Sequence, residues 1–323
     1  MADPIAQIPN RTRLSRRVKR AVLAGGLAAG LALPGAAMAD NEPPDGMRTL
    51  TVSFDFNAGG LNVGEAKLTA AIKDGRYVAS SKMKTAGLAE MFFKSRYTVL
   101  ATGTVDEKAP GVDGRGQGLV HPSRYDSDFE GLNTTKLVTL IYDETGLPAP
   151  VAADPPYGKT QLKYPVSEDE QRASVDPMSA WIHMVTGASA TKEAPCGETV
   201  PIFDGRRRYD LDFELIGEEP LTVKRGKTRY DGPAFRCRMI YRPIEGFKED
   251  DDDSDALPIP PLQVWIVRMS GDGTPGGAPS GSDAFFIPIK LLAETPIGSV
   301  VMIADDIDFG PVKDQRRDGP SKG

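Results

Sequence analysis

Apolar and polar residues alternate along most of this chain with a period of two. The alternation is clear in Thr51–Asn57 and again in Glu65–Ile72, where every second residue is apolar. Asp74 and Gly75 then separate the second run from a third that begins at Tyr77. A period of two is typical of β-strands with one buried face, and Asp-Gly between two such runs predicts a tight hairpin turn.

Further runs with this pattern follow at regular spacing and are separated by turn residues. They are Arg96–Val105, Ser123–Gly131, Thr134–Tyr142, Glu198–Phe203, Arg206–Ile216, Phe235–Tyr241, Leu262–Arg268, Ala284–Leu292 and Ser299–Ala304. Many short strands at this spacing predict a mostly β protein. We expect a single antiparallel domain, barrel-like or a β-spiral.

One stretch has helical spacing instead. Asp176 is a good N-cap, Pro177 suits the first helical position, and Gly187 follows the last apolar residue. Its apolar residues at helical spacing are Met178, Trp181, Ile182 and Val185. We therefore predict one central helix over Asp176–Gly187 that packs on the sheet, and a single helical turn at Leu88–Phe93.

The first 39 residues have the features of a signal peptide. Six Lys and Arg residues lie between positions 11 and 20, an apolar run occupies 21–36, and Ala37-Met38-Ala39 matches a signal-peptidase site. We therefore expect residues 1–39 to be removed and the protein to be periplasmic. An uncleaved membrane anchor is the alternative. The pair Arg16-Arg17 suggests twin-arginine export, but Lys19 follows Val18 where that signal has hydrophobic residues, which favours the Sec route.

Removal of this segment changes the charge balance. The chain has 39 Lys and Arg against 45 Asp and Glu; residues 1–39 hold six and one of these, which leaves 33 against 44, a net charge of −11. Such an acidic protein is not expected to bind nucleic acid. No later apolar run approaches the roughly 20 residues needed to span a bilayer. The sequence thus predicts one β domain at 40–311, not membrane-spanning, with loop insertions at 248–257 and 271–282 and a disordered tail at 312–323.

Cys196 and Cys237 are the only cysteines. An even number of cysteines in an oxidising compartment predicts a disulfide, and two free thiols are the alternative.

The sequence offers little support for catalysis. The two histidines, His121 and His183, are far apart and lack the neighbours of a zinc motif, so no metal site is predicted. No serine lies in a G-x-S-x-G turn, which argues against that kind of hydrolase. The stretch Gly271–Gly276 matches G-x-G-x-x-G, but no helix follows it to hold a phosphate. We therefore predict a protein that is not an enzyme and has no cofactor.

Two segments are candidates for ligand binding. In the first, Asp204-Gly205 can form a hairpin turn, and Arg207 falls on the same side of the following strand as Tyr209. An arginine there needs a buried carboxylate or an anionic ligand, unless it reaches water with its stem packed on Tyr209. In the second, Leu88, Met91 and Phe92 lie between strands. These side chains belong either to the core or to a lipid-contacting lip at a barrel mouth.

Several motifs together resemble a known family. The most specific is Phe203-Asp204-Gly205-Arg206-Arg207-Arg208-Tyr209-Asp210-Leu211, which the two cysteines flank; others are Gly60–Ala66, Thr85–Leu88, Asp176–Ala180 and Glu294–Gly298. They resemble the exported bacterial family designated domain of unknown function 3108 (DUF3108). This resemblance implies export and a β architecture, and it implies no catalytic residues.

Two hypotheses about function follow. The first is a non-enzymatic periplasmic protein that binds a hydrophobic ligand or lipid in a barrel cavity. The second is a protein-interaction module that supports cell-envelope integrity, with an envelope protein as its partner. A carrier should have a cavity of several hundred Å³ lined by both halves of the chain, whereas an interaction module should have a packed interior.

Overall fold

A computed structural model describes residues 48–92, 94–106, 120–156, 165–186, 195–247, 260–270, 284–295 and 298–311. The predicted signal peptide, both predicted loop insertions and the predicted tail lie outside these residues. No helix in the described ranges is long and apolar enough to cross a membrane.

Thirteen strands are described, and they form one antiparallel sheet. The strands are β1 (Arg48–Ala58), β2 (Leu61–Lys73), β3 (Arg76–Thr85), β4 (Arg96–Val105), β5 (Val120–Glu130), β6 (Thr135–Tyr142), β7 (Pro148–Asp154), β8 (Thr199–Phe203), β9 (Arg208–Arg225), β10 (Thr228–Glu245), β11 (Leu262–Ser270), β12 (Ala284–Thr295) and β13 (Gly298–Pro311). Their order across the sheet is β7-β6-β5-β4-β3-β2-β1-β13-β12-β11-β10-β9-β8. The mostly β fold predicted from the sequence is confirmed.

The first and last strands meet in the middle of this sheet, because β1 pairs with both β2 and β13. The two ends of the sheet are therefore β7 and β8. Two prolines, Pro148 and Pro150, lie in β7, where a missing N–H is tolerated because the strand has one unpaired edge. The outer edge of β8 is partly covered, since Val175 forms a parallel bridge with Ile202.

The sheet curls far enough to overlap itself. The tip of the β9–β10 hairpin reaches β1 and β13, which are not its neighbours in the sheet. There Arg225 pairs with Asp55 at 2.8 Å, and Lys227 pairs with Asp306 at 2.8 Å. The architecture is thus an overlapping, barrel-like spiral rather than a closed barrel.

Two helices connect β7 to β8: α1 (Glu168–Arg172) and α2 (Pro177–Val185). Helix α2 lies inside the curled sheet, where Ile182 and Val185 are completely buried and contact strands from both halves of the chain. The predicted central helix is confirmed, with Asp176 as N-cap. The predicted turn at Leu88–Phe93 is a short 3-10 helix over Gly87–Met91.

A chain of hydrogen bonds fixes α2 to the sheet. The carboxylate of Asp176 accepts from the N–H groups of Met178 and Ser179, each at 2.9 Å. The Ser179 hydroxyl donates to the other carboxylate oxygen of Asp176 at 2.5 Å, and it lies 2.5 Å from the hydroxyl of Tyr77 on β3. Since all three side chains are buried, this network sets the position of the helix.

The disulfide Cys196–Cys237 is present, as predicted. It joins the segment before β8 to β10, and its Cα atoms are 6.3 Å apart. Cys237 is completely buried against Val264, Ile266 and Phe286. The bond therefore links the start of the end strand β8 to β10, which is the second strand from that end of the sheet.

The elements of the structure depart from the sequence prediction in three respects. Helix α1 was not predicted. Strand β7 was not predicted, because its prolines do not suggest a strand. Strands β9 and β10 each contain 18 residues and extend well beyond the predicted runs. Gly217, Pro220 and Pro233 interrupt the alternation in these strands, and the register shift between Arg236 and Cys237 breaks the period of two.

Asp176 should make stability depend on pH. Burial raises the pKa of its carboxyl group from 3.8 to about 6, even though hydrogen bonds oppose the shift. Between pH 3.8 and about 6, therefore, this carboxyl group is largely protonated in the folded protein and largely ionised in the unfolded chain. The free energy of unfolding should fall as pH rises from about 4 to about 6, by about 3 kcal/mol from this group, and stay constant above that range.

The variant Asp176→Asn isolates this effect. Asparagine keeps the oxygen that accepts from Met178 and Ser179, but it does not titrate. Urea denaturation of both proteins at pH 4 and pH 7 measures the difference, and other carboxyl groups cancel in the comparison. An unchanged pH dependence in the variant would contradict the assignment.

Candidate functional site

One edge of the curled sheet, here called the rim, collects several connections. In an antiparallel meander, alternate turns lie at the same edge. The rim therefore carries the β1–β2 turn, the β3–β4 loop, the β5–β6 turn, the β8–β9 loop and the start of β13. Connections from the first and last parts of the chain thus come together at one end of the spiral.

A cavity of about 570 Å³ lies at this rim. Strands β1 to β6 form most of its wall, and β13 and the β8–β9 loop complete it. Its lining residues are Phe56, Val63, Gly64, Met83, Lys84, Thr85, Ser95, Tyr97, Ser127, Phe129, Lys136, Val138, Asp204, Arg206 and Val300. A mainly apolar cavity with a few polar groups is typical of a small-molecule site, and its volume falls within the roughly 300–1,000 Å³ of such sites.

Strand register builds the main wall of the cavity. Met83, Tyr97, Phe129 and Lys136 are directly paired across β3, β4, β5 and β6, so their side chains share the inner face. The rings of Tyr97 and Phe129 are 6.4 Å apart between centroids. Lys136 ends this row, and its side chain is exposed. The wall is therefore aromatic at its centre and cationic at the rim.

Asp204 places a carboxylate in this cavity. It begins the four-residue loop between β8 and β9, and its Oδ1 accepts from the N–H groups of Arg206 and Arg207, each at 2.8 Å. Burial raises the pKa of the Asp204 carboxyl group, although these bonds and the nearby guanidinium groups oppose the shift. The charge of Asp204 also adds to a rise in the pKa of Tyr97 that burial causes in the first place.

Several connections at the rim carry exposed apolar side chains. Met91 and Phe92 are 79% and 75% exposed, and they belong to the β3–β4 loop, whose two ends, Thr85 and Ser95, line the cavity. Leu61 in the β1–β2 turn region and Leu132 in the β5–β6 turn are also exposed. Met91 and Phe92 are thus at the surface rather than in the core, while the side chain of Leu88 lies outside the described residues.

The predicted position of Arg207 needs correction. The turn contains four residues rather than two, so β9 begins at Arg208 and Arg207 is not on a strand face. Arg207 is exposed, which agrees with the alternative in which it reaches water, and its guanidinium lies 5.5 Å from the ring centroid of Phe247. The buried arginine is Arg208, which pairs with Glu170 at 3.0 Å and Asp210 at 2.6 Å.

Tyr209 is not among the residues that line the cavity. Its ring lies 4.8 Å from that of Tyr241, and it contacts the cluster of Val175, Ala180, Val200 and Ile202. The structure therefore does not bring Arg207 and Tyr209 together with Met91 and Phe92. The sequence contained a signal for Lys136 as a site residue. Lys136 lies two positions before Val138 and four before Leu140, so it falls on the same inward face of β6 but carries a charged side chain.

The histidines lie apart. His121 is exposed on β5, whereas His183 is buried in α2 with its Nε2 2.7 Å from Oε1 of Glu198. Within the described ranges, no group of three or more His, Cys, Asp or Glu residues is arranged to hold a metal ion.

Comparison with known proteins places the chain in a family. A family model described as "Protein of unknown function (DUF3108)" matches residues 50–305. The chain belongs to this family. No curated protein matches the DUF3108 chain. Among solved structures it is similar to a beta-barrel-like protein of domain of unknown function DUF1849 from Brucella abortus, with 9% identity and a TM-score of 0.42 over 82% of this chain and 98% of that one.

Proposed function

We propose that this DUF3108 protein binds the apolar chain of a lipid-like amphiphile in the rim cavity and is not an enzyme. The observation that supports this proposal is the cavity of about 570 Å³ whose lining comes from both halves of the chain. Apolar side chains of Phe56, Met83, Phe129 and Val300 form much of that lining. Burial of an acyl chain against them is worth about 25 cal/mol per Å² of apolar surface removed from water.

The rim supports the same proposal. Met91 and Phe92 lie on a loop that starts and ends at the cavity, so an apolar chain can contact them on its way in. Exposed apolar side chains beside a ligand cavity are typical of sites that take up hydrophobic ligands. They also fit the second candidate function, a protein-interaction module of the cell envelope, because exposed apolar residues can bind a protein partner.

The arrangement of the histidines gives less support to hydrolysis. A serine hydrolase needs a histidine beside a serine. His183 instead faces Glu198, and the hydroxyl of Ser179 on the same helix is engaged by Asp176 and Tyr77.

We further propose that the protein acts in the periplasm. The basic, apolar and Ala-Met-Ala segments of residues 1–39 support export. The disulfide Cys196–Cys237 supports an oxidising compartment.

Filling the cavity should abolish ligand binding. Val300→Trp places a large side chain in the cavity, so the affinity for a fluorescent probe with an alkyl chain and an amine head group should fall at least tenfold. Ser299→Trp is the matched control, because Ser299 is the adjacent exposed residue and points to the other face of β13. Its affinity should stay within twofold of the parent.

Native mass spectrometry of detergent-free periplasmic protein gives an independent test. A bound mass that organic extraction removes, and that lipid analysis identifies, would support the ligand-binding proposal. A ligand-free mass together with unchanged probe affinity in Val300→Trp would contradict it and favour the interaction module, whose partner could then be sought by cross-linking.

A further inference from the structure

We propose that the head group of the ligand carries a protonated amine, which binds the Oδ2 oxygen of Asp204 while the apolar chain occupies the cavity. This inference rests on the proposed function and names the class of ligand. It is carried by the position and hydrogen bonding of Asp204 and by the aromatic side chains that share its cavity.

The carboxylate of Asp204 is held in a fixed position but only half satisfied. Its Oδ1 accepts two backbone hydrogen bonds, from Arg206 and Arg207. Its Oδ2 accepts none from the described residues, and within the same ranges Asp204 forms no ion pair. Asp204 is half-buried, and its Oδ2 is the carboxylate oxygen that can accept from a donor on the ligand.

The neighbouring arginines are engaged elsewhere. The Nη2 of Arg206 donates to the carbonyl oxygen of Pro155 at 2.6 Å, which links the β8–β9 loop to the end of β7. The guanidinium of Arg207 lies over the ring of Phe247. The backbone N–H groups of both arginines hold Asp204. Their guanidinium groups contact other partners and act on Asp204 through their charges.

Aromatic rings complete the site for a cation. Phe56, Tyr97 and Phe129 line the same cavity as Asp204. An ammonium group is attracted to the face of an aromatic ring within about 6 Å, and the attraction grows when water is excluded. A carboxylate with aromatic neighbours therefore favours a protonated amine over a neutral or anionic head group.

Lys84, Arg206 and Lys136 line the cavity, and their charges would favour an anion instead. Lys84 pairs with Glu65 at 3.1 Å and Arg206 donates to the carbonyl oxygen of Pro155, so the cation to consider is Lys136. Its side chain is exposed at the rim and reaches water, so it needs no ligand to compensate its charge. Arg206 and Arg207 act on Asp204 through their charges. The assignment is to Asp204 because its Oδ2 accepts no hydrogen bond from the described residues and because aromatic rings line the same cavity. An anionic ligand is a distinct outcome of the test below.

Three probes with the same tail separate these possibilities: octylamine, 1-octanol and octanoate. Calorimetric titration of the exported protein at pH 8 should give at least tenfold tighter binding for octylamine than for 1-octanol. In Asp204→Asn this preference should disappear, while 1-octanol binds as before. Asparagine keeps the Oδ1 acceptor for Arg206 and Arg207, so the loop should retain its structure.

Asp143→Asn is the matched control. Asp143 also holds a turn through its Oδ1, which accepts from Thr145 and Leu147, but it lies between β6 and β7 at the opposite edge of the sheet. This variant should keep the preference for octylamine. A loss of the preference in both variants would show a general effect of turn substitution and overturn the proposal.

A pH titration of the unmodified protein tests the same contact without a substitution. Octylamine should bind more weakly as pH falls, because protonation of Asp204 removes its charge, whereas 1-octanol should bind equally. Among the groups near Asp204, Arg206 and Arg207 act on it through their charges. Burial raises the pKa of Tyr97, Tyr209 and Tyr241, so these three side chains stay neutral as pH falls.

The remaining outcomes are decisive as well. Tightest binding of octanoate, or octylamine binding that Asp204→Asn leaves unchanged, would overturn the inference and leave the cavity proposal standing. Failure of all three probes to bind the unmodified protein would instead overturn the proposed function.

Discussion

Gly103→Ala should lower the free energy of unfolding by about 4 kcal/mol, through overpacking and a lost buried hydrogen bond. Gly103 lies on β4 directly opposite Tyr77 of β3, and the ring of Tyr77 covers it. A Cβ atom at this position would lie 2.6 Å from the Tyr77 hydroxyl oxygen and would also meet the carbonyl oxygen of His121. Neither the backbone of β5 nor the buried ring has room to move.

The displaced ring would also lose its contact with α2. The hydroxyl of Tyr77 lies 2.5 Å from that of Ser179, so movement of the ring disturbs the network that holds the helix. The measurement is urea denaturation followed by circular dichroism. Gly217→Ala is the control, because Gly217 also lies within a strand and a Cβ there has no neighbour within 4 Å. Equal stability of the two variants would contradict the explanation.

Removing the disulfide should have an effect of similar size. For the 41 positions between Cys196 and Cys237, the chain-entropy model gives about 4 kcal/mol of stabilisation. The bond anchors β8, which has only β9 as a full neighbour in the sheet. The double variant Cys196→Ala/Cys237→Ala should therefore unfold at lower urea concentration than the oxidised protein.

Reduction provides the control for that experiment. A reducing agent should lower the stability of the unmodified protein toward that of the double variant, and it should not affect the double variant. Thiol labelling of the unfolded, unreduced protein should find no free cysteine. Two labelled sites would show that the bond does not form in the isolated protein.

The sequence predicted the strands well where apolar residues alternate strictly. Strand β4 has the predicted bounds, and the Asp74-Gly75 turn has both residues in the left-handed region that such hairpins require. Local pattern sufficed there because each strand pairs with its neighbours in the chain. It did not suffice for the β9–β10 hairpin, whose length depends on packing over β1 and β13 rather than on its own alternation.

The candidate site was harder to predict, because its residues are brought together by register. Met91 and Phe92 stood out in the sequence, and the loop that carries them starts and ends at the cavity. Asp204 was interpreted only as a turn residue, and Lys136 only as part of a strand. Their common location follows from the curl of the sheet, which places the β8–β9 loop against β4 to β6. Periodicity in one strand carries no information about that curl.

The pairing of β1 with β13 bears on how the chain folds. Thr49 and Gly310 are hydrogen-bonded across 261 positions, whereas the other strand pairs of the sheet join neighbours in the chain. Each half can therefore assemble as a local meander, and the seam between the halves closes last, at the largest cost in chain entropy. Until the final strand has been synthesised, one edge of β1 stays unpaired, which exposes the nascent chain to misassembly through that edge. Rapid completion of the C-terminal strand, or a chaperone that covers β1, would protect the protein during this interval.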